Sequence, residues 1–227
     1  MELDKELLKS FFEEHKGVPL YVCAVDEELE TLFTIAAQYN ISIEPDEKVV
    51  VGKVYTLIDE DVGALKGFAY CTGVTYFNAW KLILAIQEIH PESVIGFGTC
   101  ASLSEDYKIG NVIVSKEFAT NDLDLTIFGY NMGDLTKEKL DYTHMQISGS
   151  KFLNSDYEVV RVMSKFPAIK GFDMESYMWY SVCKSCNIPF ISVRGVSDAG
   201  DNDSGNSYEK NAKFASANVA RYVLNHF

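Results

Sequence analysis

The chain has 227 residues, with 20 Lys+Arg against 33 Asp+Glu and a formal net charge of −13, and it is 47% hydrophobic. A globular chain of this length buries roughly 70% of its unfolded surface without disulfide or metal staples, and the composition excludes a disordered one. The acidic balance argues against nucleic acid or an anionic membrane surface as partner, since both demand a basic face.

In chain order, Leu3 to Glu14 is predicted as an amphipathic helix with Leu3, Leu7, Leu8, Phe11 and Phe12 on its apolar face. It is charged and lacks the apolar segment of a signal peptide, so a cytoplasmic protein is expected. Val18 to Val25 reads as a buried strand and Glu27 to Tyr39 as a helix. Val49 to Ile58 and Leu65 to Cys71 read as strands around the acidic turn Asp59-Glu60-Asp61. A buried helix follows on Tyr76, Ala79, Trp80, Ile83 and Ile86, ending near His90-Pro91. Ser93 to Gly98 and Gly110 to Phe118 are predicted strands, and Tyr157 to Lys165 a helix. Lys170 to Asp173 is a short strand leading into the helix Glu175 to Cys186. Pro189 to Val196 is a strand, and a final helix runs from about Tyr208 to Asn225 on the apolar stripe Tyr208, Ala212, Ala215, Val219 and Tyr222.

This alternation, with near-continuous apolar strands, predicts an α/β protein whose sheet is covered on both faces, a three-layer α/β/α arrangement. No repeat or linker divides it, so residues 18–227 are expected to form one domain behind an N-terminal helical extension of residues 1–17. Five scattered cysteines read as reduced structural thiols, Cys183 and Cys186 included. Four dispersed histidines give no metal-ligand spacing, so neither metal nor cofactor is expected.

In such sheets ligands sit beyond the carboxyl ends of strands. Three of those ends carry polar residues. Ala24-Val25-Asp26-Glu27-Glu28 follows the first strand; Gly98-Thr99-Cys100-Ala101-Ser102 reads as a small-residue turn; Arg194-Gly195-Val196-Ser197-Asp198 closes the last strand. Asp173-Met174-Glu175 opens a helix nearby. Each has a bland reading as helix cap, tight turn or turn former. Together, Glu28, Thr99, Glu175, Arg194 and Asp198 supply separated carboxylates able to act as acid and base across a glycosidic bond.

The order of these motifs resembles the nucleoside phosphorylase/nucleosidase superfamily, specifically its methylthioadenosine/S-adenosylhomocysteine nucleosidases. The likeness is carried by Ala24 to Leu29, Gly98 to Leu103, Thr126 to Tyr130, Ser148 to Leu153, Asp173 to Glu175 and Val193 to Asp201. It implies that Asp198 protonates N7 of adenine while Glu28 positions and deprotonates water beside Arg194. Glu175 with Met174 would hold the ribose hydroxyls, Thr99 would help orient the sugar and the acid, and Ser197 would be a further substrate-binding residue. The fold it implies is nucleoside phosphorylase-like, three-layer α/β/α with a mixed central sheet. Phe152 would stack on adenine and the Leu153 backbone would read its edge. Phe128 and Tyr130 would line the 5′ pocket of a partner subunit in a homodimer.

Two other readings belong to the same fold. A purine nucleoside phosphorylase needs a cationic clamp for phosphate, yet the chain has only three arginines, Arg161, Arg194 and Arg221, and acids where the clamp belongs. A non-catalytic nucleoside-binding protein would have little use for costly buried charges. Three segments depart from the family pattern: Ala101-Ser102 in place of Gly-Gly, Ser150-Lys151 before Phe152, and the bulky run Val74 to Phe77. The sequence leaves open methylthioadenosine, S-adenosylhomocysteine, 5′-deoxyadenosine and aminodeoxyfutalosine as substrates.

Overall fold

The structure, a computed structural model, describes residues 2–46, 53–123, 126–129, 145–167 and 169–225. Its elements in chain order are α1 (Glu2–Glu14), β1 (Pro19–Cys23), α2 (Asp26–Ala36), β2 (Ile41–Pro45), β3 (Val54–Asp59) and β4 (Ala64–Cys71). Then come α3 (Tyr76–Ala79), α4 (Leu82–Ile89), β5 (Ser93–Ser102), β6 (Val112–Ser115), β7 (Glu117–Thr120) and β8 (Met145–Ser148). The chain closes with α5 (Asp156–Lys165), β9 (Gly171–Asp173), α6 (Ser176–Ser185), β10 (Phe190–Asp198) and α7 (Ser204–Leu224).

Strand alternation builds a core on each face of the sheet. In β1, Tyr21 and Cys23 pack with Leu29 and Leu32 of α2, Val219 and Val223 of α7, and Leu8 of α1. Leu20 and Val22 point the other way, against Leu82 and Ile86 of α4 and Trp179 of α6. The three-layer α/β/α expectation is met. The ten strands form one mixed sheet in the order β2-β3-β4-β1-β5-β9-β8-β7, with β10 joined to β5 and β6 to β10. Strands β4, β1, β5 and β10 run parallel, so their carboxyl ends open on one side.

Several local expectations are corrected. The small-residue turn at Gly98 to Ser102 is strand: β5 runs ten residues. It pairs β10 as far as Ala101, then meets β9 at Ala101–Phe172 and Ser102–Gly171. Small side chains permit that approach, for a Cβ on Gly171 would stand 3.1 Å from the Ala101 carbonyl oxygen. The helix around Trp80 is two short helices, α3 and α4, joined by tight turns in which Lys81 N–H donates to Asn78 O (2.9 Å) and Leu84 N–H to Lys81 O (3.0 Å). The strand from Gly110 to Phe118 divides at Lys116, because β6 pairs β10 while β7 pairs β8. The strand expected from Val49 begins at Val54, and residues 47–52 lie outside the described ones. Neither β2, an edge strand ending in proline, nor β8, whose Gln146 and Ser148 conceal its burial, was anticipated. Among the described residues no helix is long and apolar enough to cross a membrane.

Helix α1 is fastened to the body through Leu8, fully buried, and Asp4. Asp4 accepts from Tyr107 Oη (2.7 Å), Val114 N–H (3.0 Å) and Lys170 Nζ (2.9 Å). Burial opposes the Asp4 charge, but these donors outweigh it and hold the carboxyl at about 2, against an ordinary 3.8. The stabilisation is therefore complete above the unfolded value and lost as pH falls from 3.8 through about 2. Asp4→Ala should lower unfolding free energy by about 3 kcal/mol at pH 7, because Lys170 loses its buried partner. Urea denaturation of both proteins at pH 7 and in mild acid checks this: the gap should shrink as the solution approaches the folded-state value.

Candidate active site

The strand ends meet at a cavity of about 540 Å³. It is lined by Glu28, Thr99, Phe152, Leu153, Met174, Glu175, Arg194, Ser197 and Asp198, so the structure brings together nine of the residues expected from the sequence. Neighbouring parallel strands explain the convergence: Arg194 stands opposite Gly98 in the β10–β5 register, and Glu28 enters from the first turn of α2, just past β1. A bulge at the end of β10, where Val196 pairs Cys100 but Asp198 pairs Ala101, leaves Ser197 as an extra residue. It allows the consecutive Ser197 and Asp198 both to face the cavity, which a flat strand would not permit.

Arg194 is the electrostatic centre and is almost wholly buried, at 1% exposure. Its Nη2 lies 2.8 Å from Asp173 Oδ2 and 3.7 Å from Glu175 Oε2. Nη2 also donates to Ser176 Oγ at 3.0 Å, and the guanidinium carbon stands 4.8 Å from the Trp179 ring centroid. Asp173 is further held by the hydroxyls of Ser148 and Ser176. Burial alone would lower the Arg194 value, but Asp173, Glu175 and Glu28 raise it, so the charge is secure.

The other carboxylates are each aimed by backbone. Glu28 Oε2 accepts from Ala24 N–H (3.1 Å), and Oε1 accepts from Thr99 N–H (3.0 Å) and Thr99 Oγ1 (3.4 Å). Glycine at position 98 is required here: its φ is +144°, and a Cβ would stand 2.4 Å from Glu28 Oε1 and 2.8 Å from Arg194 Nη1. Glu175 Oε1 accepts from Thr75 N–H at 2.8 Å. Thr75 has φ +73°, a conformation that costs a β-branched residue on the order of 1–3 kcal/mol and that is found where function demands it. Asp198 accepts from Gly200 N–H and Ser197 Oγ, both at 2.9 Å.

Burial pushes all three of these carboxyls up. Glu175 reaches about 8, with Arg194 opposing the rise and Asp173 adding to it. Glu28 rises through burial against the pull of Arg194, and Asp198 rises through burial against its own hydrogen bonds. The cavity thus offers three carboxyls pushed by burial towards their protonated forms, around one arginine already paired.

Phe128 stands apart, 63% exposed and off the cavity wall, and Tyr130 lies outside the described residues. Three contributors escaped the sequence reading. Asp173 was seen only as part of a motif. Thr75 acts through its N–H, and Tyr208 lines the cavity from the first turns of α7. The stripe of α7 marked Tyr208 as a core position, which concealed its hydroxyl. Among the described residues, no group of three or more His, Cys, Asp or Glu is placed to hold a metal ion.

Comparison with known proteins bears on the family and the fold. The family model described as "Phosphorylase superfamily" matches residues 20–147 and 142–225. A 5′-methylthioadenosine/S-adenosylhomocysteine nucleosidase of Actinobacillus succinogenes is 28% identical over 221 residues, covering 87% of this chain and 91% of that one. The structure of the corresponding nucleosidase from S. pneumoniae, with the transition-state inhibitor MT-ImmA, superposes with a TM-score of 0.78 at 17% identity, covering 92% of this chain and 97% of that one. Futalosine hydrolase of Helicobacter pylori superposes with a TM-score of 0.77 at 16% identity, covering 93% and 98%.

Gly98→Ala tests how tightly the site is built. The added methyl should displace Glu28 and cost about 2 kcal/mol of stability. Thermal unfolding should show the loss.

Proposed function

Because the chain belongs to the phosphorylase superfamily, we propose that its cavity hydrolyses the N-glycosidic bond of a 5′-modified adenine nucleoside, giving adenine and a free ribose derivative. The observation that carries this reading is the state of Arg194. Its guanidinium is already paired with Asp173 and Glu175, and no lysine or other arginine is among the described residues lining the cavity. A phosphate nucleophile would find no cation left for it and would meet Glu28, a repulsion of roughly several kcal/mol at an effective dielectric near 20. Water meets no such barrier.

In this mechanism Asp198, whose carboxyl burial pushes towards its protonated form, gives a proton to N7 as the C1′–N9 bond breaks and its electron pair leaves with the base. The sugar becomes oxocarbenium-like and is stabilised by the surrounding carboxylates. Glu28, held by Ala24 and Thr99, takes a proton from the water whose oxygen bonds to C1′. Glu175 and Met174 hold the ribose hydroxyls, and Thr99 orients the sugar. Phe152 stacks on adenine, the Leu153 backbone reads its edge, and Ser197 steadies Asp198. The names of the similar proteins support methylthioadenosine and S-adenosylhomocysteine as substrates, and with them a place in methionine salvage.

The same reading makes the protein a cytoplasmic homodimer, with Phe128 and Tyr130 lining the partner's 5′ pocket. The exposed apolar side chains of Phe77, Trp80, Ile127 and Phe128 support such an interface, and the five free cysteines suit a reducing compartment.

Product analysis with methylthioadenosine, with and without phosphate, tests the reaction class. Adenine and free methylthioribose should form equally in both; a sugar 1-phosphate appearing only with phosphate would overturn hydrolysis. Asp198→Asn should lower kcat by about 10² to 10⁴. In the pH profile, activity should rise as Glu28 loses its proton and fall as Asp198 loses its own, and Asp198→Asn should abolish the alkaline limb.

A further inference from the structure

Two cysteines are neighbours at the end of the sheet from which the site is built. In the parallel ladder of β1 and β4, Cys23 is the partner of Cys71. Paired positions point to the same face, and both side chains lie on the α2–α7 side, Cys23 within that core and Cys71 packed against it. Neighbouring strands lie about 4.8 Å apart, inside the Cα separation of about 4.4–6.8 Å that a disulfide bridges. Both thiols are free; Cys23 is fully buried and Cys71 half-buried.

The pair stands under the two loops that aim the acids. Cys23 immediately precedes Ala24, whose N–H holds Glu28. The Cys23 thiol donates to the Val25 carbonyl at 3.5 Å, the same oxygen that accepts the Glu28 and Leu29 N–H groups opening α2. Cys71 precedes the segment Thr72 to Thr75. There Thr72 N–H donates to Cys23 O (3.0 Å), and Thr75 N–H holds Glu175. A bond between the sulfurs removes the proton given to Val25 and ties the ends of β1 and β4 beneath both loops.

We propose that Cys23 and Cys71 form a modification site, joined by hydrogen peroxide into a disulfide that slows turnover and that thiols reverse. Cys71, the less buried, reacts first. Its sulfur bonds to one peroxide oxygen, the O–O bond breaks, and the other oxygen leaves as water with the Cys71 thiol proton. The Cys23 sulfur then bonds to the Cys71 sulfur, and the S–O bond of the sulfenic acid breaks, releasing a second water with the Cys23 proton. The two thiols together lose two electrons, and the peroxide takes them. The order agrees with the surroundings: the Cys23 thiol at its side draws Cys71 below its ordinary 9.0, against burial and Asp26, whereas burial pushes Cys23 well up. Transient disulfides are the kind that a reducing compartment allows. The loss of turnover rests on the hydrolytic reading above; the modification itself does not.

The test is peroxide treatment of the whole protein, followed by alkylation and peptide mapping. A Cys23–Cys71 linked peptide, lighter by two hydrogens, should form, and dithiothreitol should restore both thiols. Adenine release from methylthioadenosine should fall about ten-fold or more on oxidation and recover on reduction. Cys71→Ala should match untreated wild type and keep its rate through peroxide, and Cys23→Ala should stop at a Cys71 sulfenic acid captured by dimedone. A bridge between other cysteines, oxidation confined to methionines, an equal loss of rate in Cys71→Ala, or a mapped Cys23–Cys71 bridge with unchanged kcat would each overturn the proposal. Untreated wild-type protein that releases no adenine would instead overturn the hydrolytic reading, and the peptide map would still decide the modification.

Discussion

A guanidinium sealed inside a protein must be matched by charge and hydrogen bonds or the fold fails around it. Arg194 meets that demand with a close contact to Asp173, a longer one to Glu175, the hydroxyl of Ser176 and the face of Trp179. All four lie in one stretch of chain, residues 173–179, which runs from the end of β9 into α6. Satisfying one cation therefore ties β10 to the passage from β9 into α6. Taking charges out of water costs several kcal/mol per ion, so replacing Arg194 and its partners with apolar groups would not obviously weaken the fold. What such a replacement would remove is the positive charge that opposes the rise of the Glu28 and Glu175 carboxyls.

The backbone supplies the second constraint. Glu28 and Arg194 converge on one glycine, and the length of β5 carries that glycine and Thr99 to where both can be used. A bulge then turns Asp198 into the same space. The sheet branches at β5, which pairs β1 from Ser93 to Gly96, β10 from Val94 to Ala101, and β9 at Ala101 and Ser102. The branching is what lets strands on both sides of β5 bring acids to one small volume.

Much of this was legible in the chain. Near-continuous apolar strands separated by helical stretches disclosed the layers, and polar residues just beyond Val25, Phe97 and Val196 disclosed the site. What stayed hidden was mostly set by pairing rather than pattern. Gly98 to Ser102 has the composition of a turn, yet becomes strand because β10 and β9 supply partners for its backbone. Strand β8 carries Gln146 and Ser148 in full burial, against their usual place at the surface. Thr75 could not be found from residue type at all, because its contribution is an N–H in an unusual backbone conformation. Tyr208 fell on an apolar helical stripe, and periodicity does not report where a hydroxyl points.

The anchoring of the first helix reaches further than its position suggests. Lys170, which grips Asp4, immediately precedes β9, a strand of only three residues. So short a strand has few ladder bonds of its own and takes its place from what is tied to its ends. The Lys170 backbone bridges Leu103 beyond β5 and Met145 of β8, and its side chain is held from outside by α1. Three residues later the same strand delivers Asp173 to Arg194. The amino-terminal helix thus acts as a strut under the charged centre, and material that looks dispensable from the cavity side belongs to the rigidity on which the cavity depends.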